Sequence, residues 1–260
     1  MSALQAAVLG IVQGLTEFLP VSSSAHLVVI PKLAGWPDQG LAYDVALHWG
    51  TLFAVVVYFW KDLINIAKDG FTRADSIDRR LFDGLIIATL PGVIAGLAFG
   101  DFIETHFRTA DRVGISLAFF GILLGLADRF GKKERGADTI SLKDCALIGL
   151  SQALAIIPGV SRSGITMTAG LALGLKRVDA ARFSFLMAVP IVAGAGVLKF
   201  KDLLAGGIDA TFFLGVGLSA VSGLLAIGGL MRYLKNASFT VFAIYRVLWG
   251  GFLIWFTVSK

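Results

Sequence analysis

The stretch Gln13-Gly14-Leu15-Thr16-Glu17-Phe18-Leu19-Pro20-Val21-Ser22-Ser23-Ser24-Ala25-His26 decides how this chain is read. Gln13 and Glu17 are four residues apart and share one face of a helix. Pro20 disrupts that helix and frees backbone groups, and Ser22, Ser23 and Ser24 stand where a second half-helix would begin. A half-helix N-terminus offers unpaired N–H groups and the positive end of a dipole, which together favour an anion such as phosphate. The hydroxyls add donors and a candidate nucleophile.

A second stretch has the same form: Gln152 and an apolar run lead to Pro158-Gly159-Val160-Ser161-Arg162-Ser163-Gly164, with Thr166 following. An arginine in apolar surroundings costs about 2.5 to 3.5 kcal/mol on insertion scales, so Arg162 is expected to have a partner or a watery cavity. Its fork matches phosphate oxygens two at a time. The flanking glycines let backbone approach a ligand, and Ser161, Ser163 and Thr166 supply further hydroxyls. Glu17, His26 and Arg162 are thereby candidates to surround one phosphorylated group. Plainer readings stand beside this one: serines and glycines also serve helix packing in membranes, Glu17 and Arg162 could form a buried ion pair, and His26 could be an interfacial histidine. His48, His106, Asp44 and Arg246 are weaker candidates, with Asp44 and Arg246 read as orienting neighbours or anchoring spans.

Around these stretches the composition demands lipid. The hydrophobic fraction is 56% and the charged fraction only 16%, against about 25% charged in soluble domains, and the mean hydropathy is +0.79. Six stretches, 41–60, 83–100, 112–130, 182–200, 211–230 and 239–258, are long and apolar enough for the roughly 20 residues a bilayer crossing requires. The expected class is an all-α polytopic membrane protein. No Lys or Arg occurs in the first 30 residues, so the N-terminal segment is read as part of the fold and not as a cleavable signal. The single cysteine, Cys145, reads as a buried structural thiol.

Net charge is +5, but its placement points to membrane insertion and not to nucleic acid. Lys61, Lys68, Arg73, Arg79 and Arg80 follow the first span, and Arg129, Lys132, Lys133, Arg135 and Lys143 follow the third, which marks two cytoplasmic loops. The 101–111 loop between them carries Asp101, Glu104 and Asp111 and reads as external. Continuing the alternation puts Lys176, Arg177, Arg182, Arg232 and Lys235 inside, and leaves Lys32, Arg108, Arg112, Lys199, Lys201 and Lys260 outside.

The chain also repeats itself. Gly-Ile-Val-Gln-Gly-Leu at 10–15 matches Gly-Leu-Ser-Gln-Ala-Leu at 149–154, Lys-Asp-Leu recurs at 61–63 and 201–203, and Phe-Gly-Ile-Leu-Leu at 120–124 loosely matches Trp-Gly-Gly-Phe-Leu at 249–253. The reading is one membrane domain of two repeats, 1–130 and 144–260, joined by a basic cytoplasmic linker, 131–143. Each repeat holds one re-entrant broken segment and three spans, six transmembrane helices in all. Three crossings per repeat invert the second against the first, and broken segments of inverted repeats typically meet near the midplane.

At these segments the chain resembles the undecaprenyl pyrophosphate phosphatase family associated with bacitracin resistance. That family's first motif, Glu or Gln, three residues, Glu, then Phe-Leu-Pro-Val-Ser-Ser and a histidine, is met by Gln13, Glu17, Phe18 to Ser23 and His26. Its second, Pro-Gly-x-Ser-Arg-Ser-Gly, is met by Pro158 to Gly164. The resemblance extends to Phe183–Pro190 and Phe242–Arg246 and so spans nearly the whole chain. Gln13 stands where some members have a second glutamate, so this segment offers one carboxylate, Glu17.

The resemblance implies hydrolysis of undecaprenyl pyrophosphate to the monophosphate and inorganic phosphate, recycling a lipid carrier for cell-wall synthesis and conferring bacitracin resistance. It further implies a divalent cation, Mg2+ or Ca2+, a homodimer, and a place in the bacterial cytoplasmic (inner) membrane with the site toward the periplasm. Joined to the chemistry above, it makes Ser23 the expected nucleophile, or less readily Ser22. His26 is the proton carrier, Arg162 the clamp, and Glu17 the metal ligand or a base toward His26. Gln13, Ser22, Ser161, Ser163 and Thr166 are expected phosphate contacts. The rival is a transporter or flippase of the same carrier, since broken helices in inverted repeats are transporter architecture. Against it stands a division of labour, with Glu17 and His26 in one segment, Arg162 in the other and neither set duplicated.

Overall fold

The computed structural model describes residues 1–259 except 38, 73–74, 199–200 and 202–207. Arg73, Lys199, Lys260 and most of the second Lys-Asp-Leu therefore lie outside the described residues. The described chain is helical, with one isolated bridge between Arg135 and Leu175.

The first helix, α1 (Ala3–Phe18), opens on a capping box between Ser2 and Gln5 and stops two residues before Pro20. The chain restarts as α2 (Ser23–Ala34). After it come α3 (Gly40–Tyr58), α4 (Trp60–Thr72), α5 (Ile77–Phe107) and α6 (Ala110–Phe130). Past the linker, α7 (Leu142–Ala153) begins on a second capping box, Ser141 with Asp144, and gives way through a short 3-10 turn to the Pro158 break. α8 (Arg162–Ala172), α9 (Arg177–Leu198), α10 (Ala210–Tyr233) and α11 (Thr240–Val258) complete the chain.

Five helices, α5, α6, α9, α10 and α11, are long and apolar enough to cross a membrane, and α3 with α4 makes a sixth candidate bent by 80°. Each apolar stretch read from the sequence coincides with one of them. Two loops turned out to be helical. The basic segment after the first span forms the surface helix α4, which seats Ile66 and Gly70 against α5 while Lys61 and Lys68 stay outside. The acidic 101–111 segment is mostly the last turns of α5, whose 31 residues extend about 46 Å and overrun a hydrocarbon core of about 30 Å. The linker is stitched down: Arg135 donates to the Asp144 carboxylate at 2.7 Å and to the Leu173 carbonyl at 3.0 Å.

Helix pairing brings the two broken segments together. α1 lies along α10, α7 along α5, α3 against α10 and α9, and α6 along α11. Several crossings depend on glycine, among them α1 on α10 and α7 on α5. A Cβ on Gly10 would meet the Gly215 carbonyl oxygen at 2.4 Å, and one on Gly149 would meet backbone atoms of Ala88 at 2.6 Å. Small residues at such contacts let helix backbones close on each other where no hydrophobic force drives them together. Gly149→Val should therefore lower the thermal midpoint in detergent, a loss of about 1 to 3 kcal/mol by overpacking. Gly217→Val, whose new Cβ meets nothing within 4 Å, should leave the midpoint unchanged in the same fluorescence melt.

Candidate functional site

Both breaks turn on a serine in an unusual backbone conformation. Ser22 has φ 73° and ψ 93°, and Ser161 has φ 70° and ψ 113°. Positive φ in a non-glycine residue costs on the order of 1 to 3 kcal/mol and persists only where the surroundings hold it. Each hydroxyl caps the helix it starts: Ser22 Oγ accepts from Ala25 N at 3.4 Å, and Ser161 Oγ from Gly164 N at 3.1 Å. Each also pairs with the hydroxyl two residues on, Ser24 at 3.2 Å and Ser163 at 3.3 Å.

Arg246 on α11 holds the two breaks to each other. It is fully buried and donates to the carbonyls of Pro20 (3.3 Å), Gly159 (3.0 Å), Val160 (2.7 Å) and Leu117 (3.2 Å). Breaking a helix leaves carbonyls without partners, and in lipid each must be satisfied within the protein. One guanidinium, with its five fixed donors, serves the carbonyls freed at both breaks. No carboxylate pairs with it among the described residues.

The breaks in turn bring Glu17, in the last turn of α1, to Arg162, the first residue of α8. Glu17 Oε1 accepts from Arg162 Nη2 at 2.7 Å. Its other oxygen accepts from Ser23 Oγ at 2.6 Å and from Gln13 Nε2 at 3.2 Å, and lies 3.3 Å from His48 Nε2. Arg162 also donates to the Ser184 carbonyl at 2.9 Å, and the Ser184 hydroxyl pairs with Thr166 Oγ1 at 2.7 Å. Side chains from α1, α2, α3 and α8, with a backbone carbonyl of α9, thus meet on one carboxylate and one guanidinium. The i,i+4 spacing of Gln13 and Glu17 gives their contact directly.

His26 is placed elsewhere. Its Nδ1 faces the Ser22 carbonyl at 2.7 Å and its Nε2 the Tyr245 hydroxyl at 2.6 Å, with the Tyr245 and Trp249 rings stacked beside it. The carbonyl can only accept, so Nδ1 carries the proton there, which in a neutral ring leaves Nε2 to accept from Tyr245. Ser163 donates to the Leu19 carbonyl at 3.4 Å. The structure therefore joins Gln13, Glu17, Ser23 and Arg162 in one cluster, with Thr166 behind it. It sets Ser22, Ser161 and Ser163 at the breaks and turns His26 toward α11. His48, ranked low by sequence, reaches Glu17 from α3. Only its presence among apolar residues of a span marked it, and spacing along the chain could not align it with a carboxylate 31 positions away.

Two adjoining cavities, each of about 290 Å3, reach this cluster and share Ser24, Val45, His48, Ala155 and Ile156 in their walls. The inner one has Glu17, Arg162 and Gln152 at its polar end, and Ile191, Val192 and Ala195 of α9 opposite. The outer one opens past Asp44, Asp101, Glu104 and Arg108. The geometry offers a hydroxyl hydrogen-bonded to a carboxylate, a guanidinium beside them, and an apolar wall that can receive a hydrocarbon tail.

Sequence comparison finds relatives over nearly the whole chain. A family described as bacitracin resistance protein BacA matches residues 6–252. A protein of Moorella thermoacetica named undecaprenyl-diphosphatase is 52% identical over 254 residues, covering 98% of this chain and 97% of its own length. Proteins of the same name from Pelotomaculum thermopropionicum and Alcanivorax borkumensis are 50% and 47% identical, covering 96% and 98% of this chain and 95% and 99% of theirs.

Proposed function

The chain belongs to the bacitracin resistance protein BacA family, and from that premise we propose that it is an undecaprenyl-diphosphatase, hydrolysing undecaprenyl pyrophosphate to undecaprenyl phosphate and inorganic phosphate. This recycles the lipid carrier for cell-wall synthesis and confers bacitracin resistance. The observation that carries the reading at the level of residues is the hydroxyl of Ser23 held 2.6 Å from a carboxylate that is itself clamped to Arg162. A nucleophile within hydrogen-bond reach of its base, with that base oriented by a third group, is the arrangement that covalent catalysis requires.

In the proposed reaction, Ser23 Oγ attacks the terminal phosphorus and its proton passes to Glu17. The bond to the bridging oxygen breaks, and undecaprenyl phosphate leaves. The leaving phosphate carries off the proton from Glu17; water then attacks the phosphoserine, passing a proton to Glu17, which returns it to Ser23 Oγ as inorganic phosphate departs. Glu17 takes the proton-carrying role expected of His26, because Ser23 faces Glu17 while the ring of His26 is engaged by Ser22 and Tyr245. Arg162 exchanges Glu17 for phosphate oxygens, kept on course by its bond to the Ser184 carbonyl. Gln13, Ser22, Ser161, Ser163 and Thr166 are the proposed surrounding phosphate contacts. Phosphoryl transfer depends mainly on positioning and charge neutralisation, which suits so small a set of groups.

A divalent cation, Mg2+ or Ca2+, belongs to the proposal. No group of three or more His, Cys, Asp or Glu able to hold a metal occurs among the described residues. What the site offers is one carboxylate, Glu17, and the buried Oε1 of Gln13, which has no hydrogen-bond partner. Hard cations take oxygen ligands, and Mg2+ commonly binds through one or two carboxylates plus substrate phosphates, so this donor set suits an ion that arrives with the pyrophosphate. When bound, it neutralises the charge that pyrophosphate would otherwise add beside Glu17.

The architecture proposed is six transmembrane helices and two re-entrant segments in inverted repeats. Reciprocal contacts support it: α1 on α10 has its counterpart in α7 on α5, and α3 on α10 in α9 on α5. We place the protein in the bacterial cytoplasmic membrane, with the outer cavity toward the periplasm and the basic segments of α4 and the linker inside. The homodimer rests on the resemblance alone.

The test is phosphate release from undecaprenyl pyrophosphate by the detergent-purified protein. Release that stops with EDTA and returns with Mg2+ or Ca2+ is expected. A protein that binds the lipid yet releases no phosphate would point to carriage of the lipid.

A further inference from the structure

A cavity of about 560 Å3 lies away from the Glu17–Arg162 cluster and shares no residue with the two cavities there. It sits where the end of α6, the start of the linker and the N-termini of α9 and α11 converge. Three cations line it: Arg129 in the last turn of α6, Lys133 in the linker, and Arg177, the first residue of α9. One carboxylate, Asp128, is among them, and both its oxygens are spent within the protein. Oδ1 accepts from Arg177 Nε at 2.5 Å and Oδ2 from the Phe239 N–H at 2.9 Å. Three positive groups and one negative leave the mouth at +2 (3 − 1).

The N-terminus of the 19-residue helix α11 opens on the same cavity, with Ser238 and Thr240 in its wall; Asp128 takes the Phe239 N–H and Ser238 Oγ accepts from the Thr240 N–H at 3.4 Å. The positive dipole end of the helix adds to the cations there. From this mouth the cavity runs along the seam of α6 and α11 between Ile122, Leu126, Ile244 and Leu248. These residues are 50%, 47%, 53% and 68% exposed, on helices read as crossing the membrane. A soluble anion would use only the mouth, whereas an amphiphile with an anionic head uses mouth and seam together.

We propose that this cavity binds an anionic phospholipid of the leaflet on the linker side. Its phosphate sits among Arg129, Lys133 and the start of α11, and one acyl chain lies along the α6–α11 seam. Basic pockets between membrane helices recognise lipid headgroups in this way.

Delipidated protein in neutral detergent is titrated with phosphatidylglycerol or with phosphatidylcholine of the same acyl chains, and bound lipid is counted by native mass spectrometry. One phosphatidylglycerol should bind at least tenfold more tightly than phosphatidylcholine. Arg129→Gln with Lys133→Gln should weaken it about thirty-fold, as expected for two basic groups contributing on the order of 1 kcal/mol each near an anionic headgroup. Phosphate release should be unchanged. Because Lys133 also donates to the Asp128 carbonyl at 2.7 Å, the exposed Arg129→Glu is run alone and should also lose phosphatidylglycerol. Equal retention of the two lipids, or undiminished phosphatidylglycerol in both variants, overturns the proposal. So does a polyprenyl phosphate that outcompetes phosphatidylglycerol at the cavity, which would make it a second carrier site.

Discussion

Glu17→Gln is expected to lower kcat on undecaprenyl pyrophosphate by about 10^3-fold, within the range for loss of a general base, while the chain stays folded. The amide is nearly isosteric and keeps an oxygen for Arg162, which contacts Glu17 Oε1 at 2.7 Å, while its NH2 takes the place of Oε2 and can donate to the Ser23 hydroxyl, 2.6 Å from that oxygen. It cannot take the serine proton. If the Glu17–Arg162 contact were only a buried ion pair, the substitution would act through stability. Removing one partner of such a pair costs about 3 to 5 kcal/mol, and activity would then return on cooling in step with the folded fraction. Measuring kcat and the thermal midpoint on the same preparation separates the two: loss of turnover at an almost unchanged midpoint is the result expected of a base.

Arg246→Met should be more damaging to structure, although Arg246 touches none of the groups proposed to react. The substitution withdraws donors from the carbonyls of Pro20, Gly159, Val160 and Leu117. A buried acceptor left unmade costs about 1 to 3 kcal/mol, so a loss on the order of 3 kcal/mol or more is expected in a detergent melt. Turnover should fall by at least 100-fold even below the melting range, because Ser23 and Arg162 are positioned by the turns at Ser22 and Ser161. Arg246→Lys should recover little, since an ammonium cannot reproduce a fork spread over both breaks.

Much of this was legible before the fold was known. Pro20 and Pro158 announced the breaks, the serines the restarts, and the apolar stretches the spans, because each follows from local backbone chemistry. The residues that escaped are those whose partners lie far along the chain. His48 gains its meaning from Glu17, and Arg246 from carbonyls more than 80 residues away. A carbonyl acceptor carries no signature in sequence, so a buried arginine serving carbonyls looks the same as one awaiting a carboxylate. His26 illustrates the converse. It lies within nine residues of Glu17, but the left-handed turn at Ser22 sends it to Tyr245 while Ser23 goes to the carboxylate. The helix α4 was masked by its charges, which read as loop although Ile66 and Gly70 fall on one buried face.

The claim that both broken segments build one catalytic site is tested most directly by a double-mutant cycle. Phosphate release from labelled undecaprenyl pyrophosphate is measured for Glu17→Gln, Arg162→Gln and the pair. Residues acting as a unit are strongly non-additive, so the double variant should be no more than a few-fold slower than the slower single one. Losses that multiply across the pair would mean that Glu17 and Arg162 act independently, and would contradict a shared site.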